Sequence, residues 1–419
     1  MNFAYTTFKK TGSKGRVQIS SRKVSMRQKS ELSLTEILTH FGENPEQYFG
    51  AVVPPIAQTS NFRFKSMTHL RKVLADESQN PIYTRGCNPT VHILRKKMAA
   101  LEKAEDALVF SSGSSAIAAG VLSQIKSGDH IICVQKPYGW TSKLLGKTLP
   151  ALGVETTFVD GSQVENFAQA LRPNSKLIYL ESPNSWTFEV QDLPALAQLA
   201  KKHQLTTIVD NSCATPLSQN PIAMGIDMVV HSASKYLSGH SDVVGGVLCS
   251  THSRIKEIFY GPFMTLGGII SPHDAWLILR GLRTLELRYH RSCDNAEKVV
   301  AFLESHPQIE KVLYTHSPRF SQYELAKSQI QRGGGLFSVI LKSNNLAVIE
   351  KFCESLTQFQ MAVSWGGYES LHFPACAFHN RGGSSPGALP LNMIRFYVGI
   401  ENPETLIADL AVNLTQCFS

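Results

Sequence analysis

From about residue 91 the apolar positions of the chain alternate between two periods. Short runs rich in Val, Ile and Leu predict strands at 106–111 (DALVFS), 130–134 (HIICV), 154–159 (VETTFV), 176–181 (KLIYLE), 206–210 (TTIVD), 228–232 (MVVHS) and 244–249 (VGGVLC). Between them lie stretches with helical spacing. Residues 192–204 open on Asp192 as a candidate N-cap and place Leu193, Leu196, Ala197 and Ala200 on one stripe. Apolar strands alternating with amphipathic helices predict an α/β fold with a large, doubly wound, mostly parallel sheet covered on both faces. After residue 275 the pattern changes to a long helical stretch, 274–304, and sparser strands at 335–341 (GLFSVIL) and 393–399 (MIRFYVG). A closing helix over 403–417 has Asn402 to cap it, Pro403 in its first turn, and Leu406, Ile407, Leu410, Ala411 and Leu414 as its buried stripe. This second part reads as a smaller α+β domain. Residues 31–90 hold Pro54-Pro55, Asn80-Pro81 and Asn88-Pro89 with little periodicity, which predicts an extended arm. The expected organisation is an extension (1–30), an extended arm (31–90), a large domain (91–280) and a small C-terminal domain (281–419).

A chain of 419 residues with 43% hydrophobic content can bury substantial cores. No run approaches the roughly 18 to 20 apolar residues of a membrane span, and no secretory signal opens the chain. The eight cysteines are scattered, with no CxxC pair and no His/Cys spacing for zinc, so they read as reduced thiols in a cytoplasmic protein without a metal. The net charge of +8 invites a nucleic-acid reading, but residues 1–30 hold eight basic side chains and no acidic one, and the remainder balances. That opening segment reads either as a disordered extension, with Met26 as an alternative start, or as an organelle transit peptide.

Three segments carry groups that suit an anion, a cationic ring nitrogen and an aldehyde. Ser111-Ser112-Gly113-Ser114-Ser115 joins a strand to an Ala-rich helical stretch, and such a turn presents free N–H groups and the positive helix end; the same turn also occurs with no ligand. Asp210 ends the strand TTIVD, so its carboxylate emerges at the edge where doubly wound sheets bind ligands, unless it only caps a turn. Lys235 follows the strand MVVHS within HSASKYLSGHSD, where burial beside other cations can lower an amine's pKa enough for covalent chemistry with a carbonyl. Arg395 stands inside an apolar strand and needs a buried anion, whether a substrate or a resident carboxylate.

The chain resembles the Cys/Met-metabolism family of fold type I pyridoxal-phosphate (PLP) enzymes, which includes cystathionine β-lyase, cystathionine γ-lyase, cystathionine γ-synthase and methionine γ-lyase. The resemblance spans residues 40–415. It rests on YTRGCNPT (83–90), SSGSSAI (111–117), PYGWTSKLL (137–145), ESPNSWTFEV (181–190), IVDNSCATP (208–216), VVHSASKYLSGHSDVVGG (229–246), RGLRTLELR (280–288), SWGGYESL (364–371) and IRFYVGIENPETLIADL (394–410). It implies that Lys235 bonds the cofactor, that Asp210 pairs with its pyridine nitrogen and that Tyr138 stacks on its ring. Gly113, Ser114, Ser232 and Ser234 would hold the phosphate, and Tyr83 and Arg85 would reach it from a neighbouring subunit of a homotetramer built as a dimer of dimers. Arg395 would clamp the α-carboxylate of a sulfur amino acid, with Ser364 and Trp365 beside it, and Tyr138 or Tyr83 would assist proton transfer.

Within the family, the SWGGYESL and ESPNSWTFEV blocks resemble cystathionine β-lyases of methionine biosynthesis most closely, which implies cleavage to homocysteine, pyruvate and ammonia. Val363 stands where many γ-acting relatives carry Glu and β-lyases often carry Tyr. Trp140 replaces the Cys usual in methionine γ-lyases. ESPNSW replaces the common ESPTNP, and NPT at 88–90 is closer to the γ-branch. The alternatives are a cystathionine γ-lyase or γ-synthase, a cysteine desulfhydrase, and, in a different class, a non-catalytic PLP-fold binding or regulatory protein.

Overall fold

The computed structural model describes residues 32–379 and 389–418, so the basic opening segment lies outside the described residues. Seven strands form the larger sheet: β1 (Asp106–Phe110), β2 (His130–Val134), β3 (Glu155–Val159), β4 (Ser175–Glu181), β5 (Thr206–Asp210), β6 (Met228–Ser232) and β7 (Gly246–Ser250). Their order is β1-β7-β6-β5-β4-β2-β3, with β7 antiparallel to both neighbours and the other pairs parallel. Helices cover both faces, so the central strands bury both of theirs: Leu177, Ile178, Leu180, Ile208, Val209, Met228 and Val229 are fully buried. The predicted helix over 192–204 runs Leu193–Lys202, with the Asp192 carboxylate accepting the Ala195 N–H, and its predicted stripe is buried.

The second sheet holds β8 (Ile309–Leu313), β9 (Leu336–Leu341), β10 (Gln360–Met361), β11 (Leu371–Pro374) and β12 (Met393–Tyr397) in the order β10-β11-β12-β9-β8. It packs a separate apolar core with helices Leu285–Ser305, Leu346–Ser355 and Pro403–Phe418. Only β9 and β12 were legible as strands. β8 carries exposed Glu310 and Lys311 at its middle, β10 is two residues long, and β11 interleaves His372 and Pro374, so none shows an apolar run.

Two expectations are revised. The stretch 274–304 is two helices, Pro272–Leu282 and Leu285–Ser305, separated at Arg283 and Thr284; the break lets Arg288 reach back to the Gly281 carbonyl with Nη2 (2.7 Å). The arm is less extended than its prolines suggest, for it contains helices Leu34–Thr39 and Met67–Leu74, capped by Ser33 and Ser66. The first is anchored by Lys97, whose fully buried amine donates to the Ile37 and Leu38 carbonyls and pairs with Glu43 at 3.1 Å. Among the described residues no helix is long and apolar enough to cross a membrane.

Candidate active site

The carboxyl ends of β4, β5 and β6 place three chemically distinct groups side by side. Asp210 ends β5, the middle strand of the sheet, and lies in register with Glu181 on β4. Its Oδ1 accepts the Ser212 N–H at 2.9 Å. Burial raises its pKa, against that hydrogen bond and the nearby His231 and Lys235. A carboxylate in this position, with no ion-pair partner among the described residues, suits a protonated ring nitrogen.

Beyond β6 the chain turns, and half-buried Lys235 donates from Nζ to Ser364 Oγ at 2.6 Å. Its amine is lowered to about 8, first by burial and then by the Arg395 charge, with Asp210 opposing. The acceptor loop is built for this approach. Ser364 and Gly366 both have left-handed backbones (φ +81° and +89°), and a Cβ on Gly366 would stand 2.7 Å from the Tyr236 nitrogen and 3.0 Å from Lys235 Cα. Tyr397 Oη donates to the Gly367 carbonyl at 2.7 Å, tying this loop to β12. Trp365 lies alongside, its ring centre 5.6 Å from Lys235 Nζ.

The expected anion cradle forms at the start of helix Gly113–Leu122. Ser112 caps it by accepting the Ser115 N–H at 3.1 Å, which leaves the Gly113 and Ser114 N–H groups at the first turn without helical acceptors. Gly113 lies against the end of β6, where a Cβ would come within 3.3 Å of Ser232 Oγ. The Ser232 N–H donates to Ser212 Oγ at 2.7 Å, so the cradle connects through Ser212 to Asp210. Ser234 is differently placed: its hydroxyl accepts the Gly245 N–H at 3.0 Å. Tyr138 and Ser114 line one cavity of about 380 Å³ together with Trp140 and Thr141.

Arg395, in β12, is 8% exposed and makes no ion pair among the described residues. Nη1 donates to the Ser185 carbonyl at 3.2 Å, and Cζ lies 4.6 Å from the centre of the Trp186 ring. Burial lowers its pKa to about 10. A buried guanidinium with unfilled donors is costly by itself and suits an incoming carboxylate.

Tyr83 and Arg85 precede helix Pro89–Leu101. Both are exposed, Arg85 lies over the Tyr83 ring at 5.4 Å, and among the described residues no hydrogen bond joins them to the cradle or to Lys235.

Three residues without an assigned role in the sequence organise the others. Glu181 accepts the Tyr138 N–H (2.5 Å) and the Ser185 N–H (2.8 Å) on its two oxygens, and burial together with Asp210 pushes its pKa up to about 7. Asn184 donates to the Lys136 carbonyl at 2.7 Å and accepts the Trp186 N–H at 3.0 Å, joining the loop before Tyr138 to the loop beneath Arg395. Arg288 donates to the Tyr236 carbonyl at 3.0 Å and braces the Lys235 turn from behind. Their only signal was membership of the ESPNSW and RGLRTLELR blocks, since contacts between distant segments leave no periodicity.

The described residues thus offer PLP first-turn N–H groups, a buried carboxylate and an amine whose pKa burial lowers. A sequence model described as Cys/Met metabolism PLP-dependent enzyme matches residues 35–415. The chain is 38% identical to an L-methionine gamma-lyase of Fusobacterium nucleatum subsp. nucleatum, over 93% of this chain and 99% of that protein. It is 37% identical to a cystathionine gamma-lyase of Bacillus subtilis (strain 168), over 89% and 97%. Among solved structures, metB from Corynebacterium glutamicum superposes with a TM-score of 0.87 at 35% identity, covering 93% of this chain and 99% of that one.

Proposed function

The chain belongs to the Cys/Met metabolism family of PLP-dependent enzymes, with the fold type I architecture and a carbon–sulfur lyase chemistry, and from that premise we propose that it cleaves the Cγ–S bond of a sulfur amino acid. The γ-position is favoured by the relatives, methionine and cystathionine gamma-lyases that match along nearly their whole length. The geometric observation that supports an amino-acid substrate is the buried Arg395, with no ion-pair partner among the described residues, together with the Lys235 amine held on Ser364 Oγ at 2.6 Å.

Bound PLP supplies an electron-poor ring that accepts the electron pair left when the substrate's Cα–H bond breaks. The protein's part is positioning and proton movement. Arg395 takes the α-carboxylate on its free donors, which sets Cα near Lys235. Lys235 Nζ, oriented by Ser364 Oγ, takes the Cα proton. With PLP bound, Asp210 would keep a proton on the ring nitrogen, Tyr138 would cover the ring face, and Gly113, Ser114, Ser232 and Ser234 would hold the phosphate. For a leaving group at Cγ a second proton must leave Cβ, and the Lys235 amine would take it after passing on the first; the Cγ–S bond then breaks, a phenol of Tyr138 or Tyr83 would give a proton to the departing sulfur, and water converts the remaining four-carbon fragment to 2-oxobutyrate and ammonia.

Tyr83 and Arg85 are exposed on an arm that also exposes Phe49, Val52, Met67 and Leu74. That surface supports an arrangement in which the arm covers a neighbour's site within a homotetramer.

A second reading, β-cleavage of cystathionine, is favoured by Val363: it is 67% exposed next to Ser364 and offers no charge to a distal substrate amine. Incubation with cystathionine and with methionine separates the two. The γ-reading expects 2-oxobutyrate from both; pyruvate with homocysteine from cystathionine overturns it in favour of β-cleavage. Absence of any keto acid from either substrate removes both.

A further inference from the structure

Arg395 must be held in one plane for a bidentate fork to work, yet no carboxylate among the described residues holds it. Its neighbour is an aromatic face. Trp186 lies beneath the guanidinium, 4.6 Å from ring centre to Cζ, and is itself fixed on several sides. Its backbone N–H donates to Asn184 Oδ1, and its ring meets Phe373 at 5.6 Å and Phe378 at 5.9 Å. Those two phenyl rings meet edge to face at 5.4 Å, and Phe373 is the residue opposite Arg395 in the β11–β12 register. The cluster spans both sheets, because Trp186 follows β4 while the phenylalanines belong to the second sheet and the turn after it.

An aromatic face attracts a cation without occupying its N–H donors, which lie in the guanidinium plane. A resident Asp or Glu would hold Arg395 as firmly and compete with any substrate carboxylate. We propose that Trp186 is a positioning residue for carboxylate recognition: its indole, braced by Phe373 and Phe378, holds the Arg395 fork flat and leaves it open to the α-carboxylate of the amino-acid substrate. The inference rests on Arg395 being the carboxylate clamp, and it does not depend on which C–S bond is cleaved.

The test uses the PLP-loaded enzyme and two small ligands, followed by the change in visible absorption of the bound cofactor. Glycine carries the amine and the carboxylate; glycinamide carries the amine alone. Trp186→Leu is expected to weaken glycine binding on the order of ten-fold and to leave glycinamide unchanged. Trp186→Phe keeps a face and is expected to restore most of the loss, while turnover of whichever of methionine and cystathionine the wild type cleaves shows the deficit in KM rather than kcat. Where the Leu chain does not fold, Trp186→Met fills similar space without a ring and carries the same expectation. Equal losses for both ligands, or no loss for either, overturn the proposal. Wild-type enzyme that binds glycine no better than glycinamide overturns the Arg395 clamp itself, which is a separate failure.

Discussion

At Lys235 opposing influences set the chemistry: burial and the Arg395 charge lower the amine, and Asp210 restrains the fall, so that a group ordinarily protonated is brought to about 8. Lys235→Ala removes the amine held against Ser364, and its turnover is expected to fall by at least about 10³-fold. Equilibrium dialysis should still find PLP retained through the cradle and Asp210. Arg395→Ala is expected to reduce kcat/KM by about 100-fold, mainly through KM, since it removes a charge-assisted fork. Glu181 offers a stability test. Its pKa rises from an ordinary 4.5 to about 7, so the folded apoprotein binds more protons than the unfolded chain between those values and stability falls as pH rises through that window. The effect is at most about 3 kcal/mol. Glu181→Gln, which keeps one acceptor for the Tyr138 or Ser185 N–H, should lose this slope: urea midpoints of the two apoproteins should diverge from pH 5 to pH 8, with the wild type losing ground.

The elements that matter most are strand ends and the tight loop that closes on them. β4, β5 and β6 end side by side, and their alternation aims Glu181 and Asp210 into the same region because the two are in register. The loop at 364–367 closes over the Lys235 turn only because residue 366 lacks a side chain and accepts φ +89°. Gly366→Ala would drive a methyl group into the backbone of Lys235 and Tyr236. The expected result is a loss of about 1–3 kcal/mol in stability and a larger proportional loss of activity as Ser364 moves off the amine. Calorimetry and steady-state rates on the same preparation check both.

At the scale of the whole molecule, the exposure of Tyr83 and Arg85 gives the subunit arrangement a direct test. If Arg85 serves a neighbour's phosphate, mixtures of Lys235→Ala and Arg85→Ala subunits that are dissociated and reassembled will contain sites with both wild-type residues. Activity should recover toward about a quarter of the wild-type level at equal mixing. No recovery would assign Arg85 to its own subunit's site.

Sequence alone determined the alternation of strands and helices, the end-of-strand positions of Asp210 and Lys235, the small-residue turn at 111–115 and the family. Each depends on local periodicity or on a contiguous block of residues, and such signals survive in one dimension. The tertiary structure decided what lies between distant segments: that Glu181 grips the loop of Tyr138, that Arg288 braces the Lys235 turn, that Ser364 receives the amine, and that Arg395 rests on Trp186 rather than on a carboxylate. The physical reason is that a side chain's electrostatic surroundings and hydrogen-bond partners are set by neighbours far away in sequence. Trp186 and Arg395 are separated by more than 200 positions, and no pattern along the chain encodes the packing of an indole beneath a guanidinium.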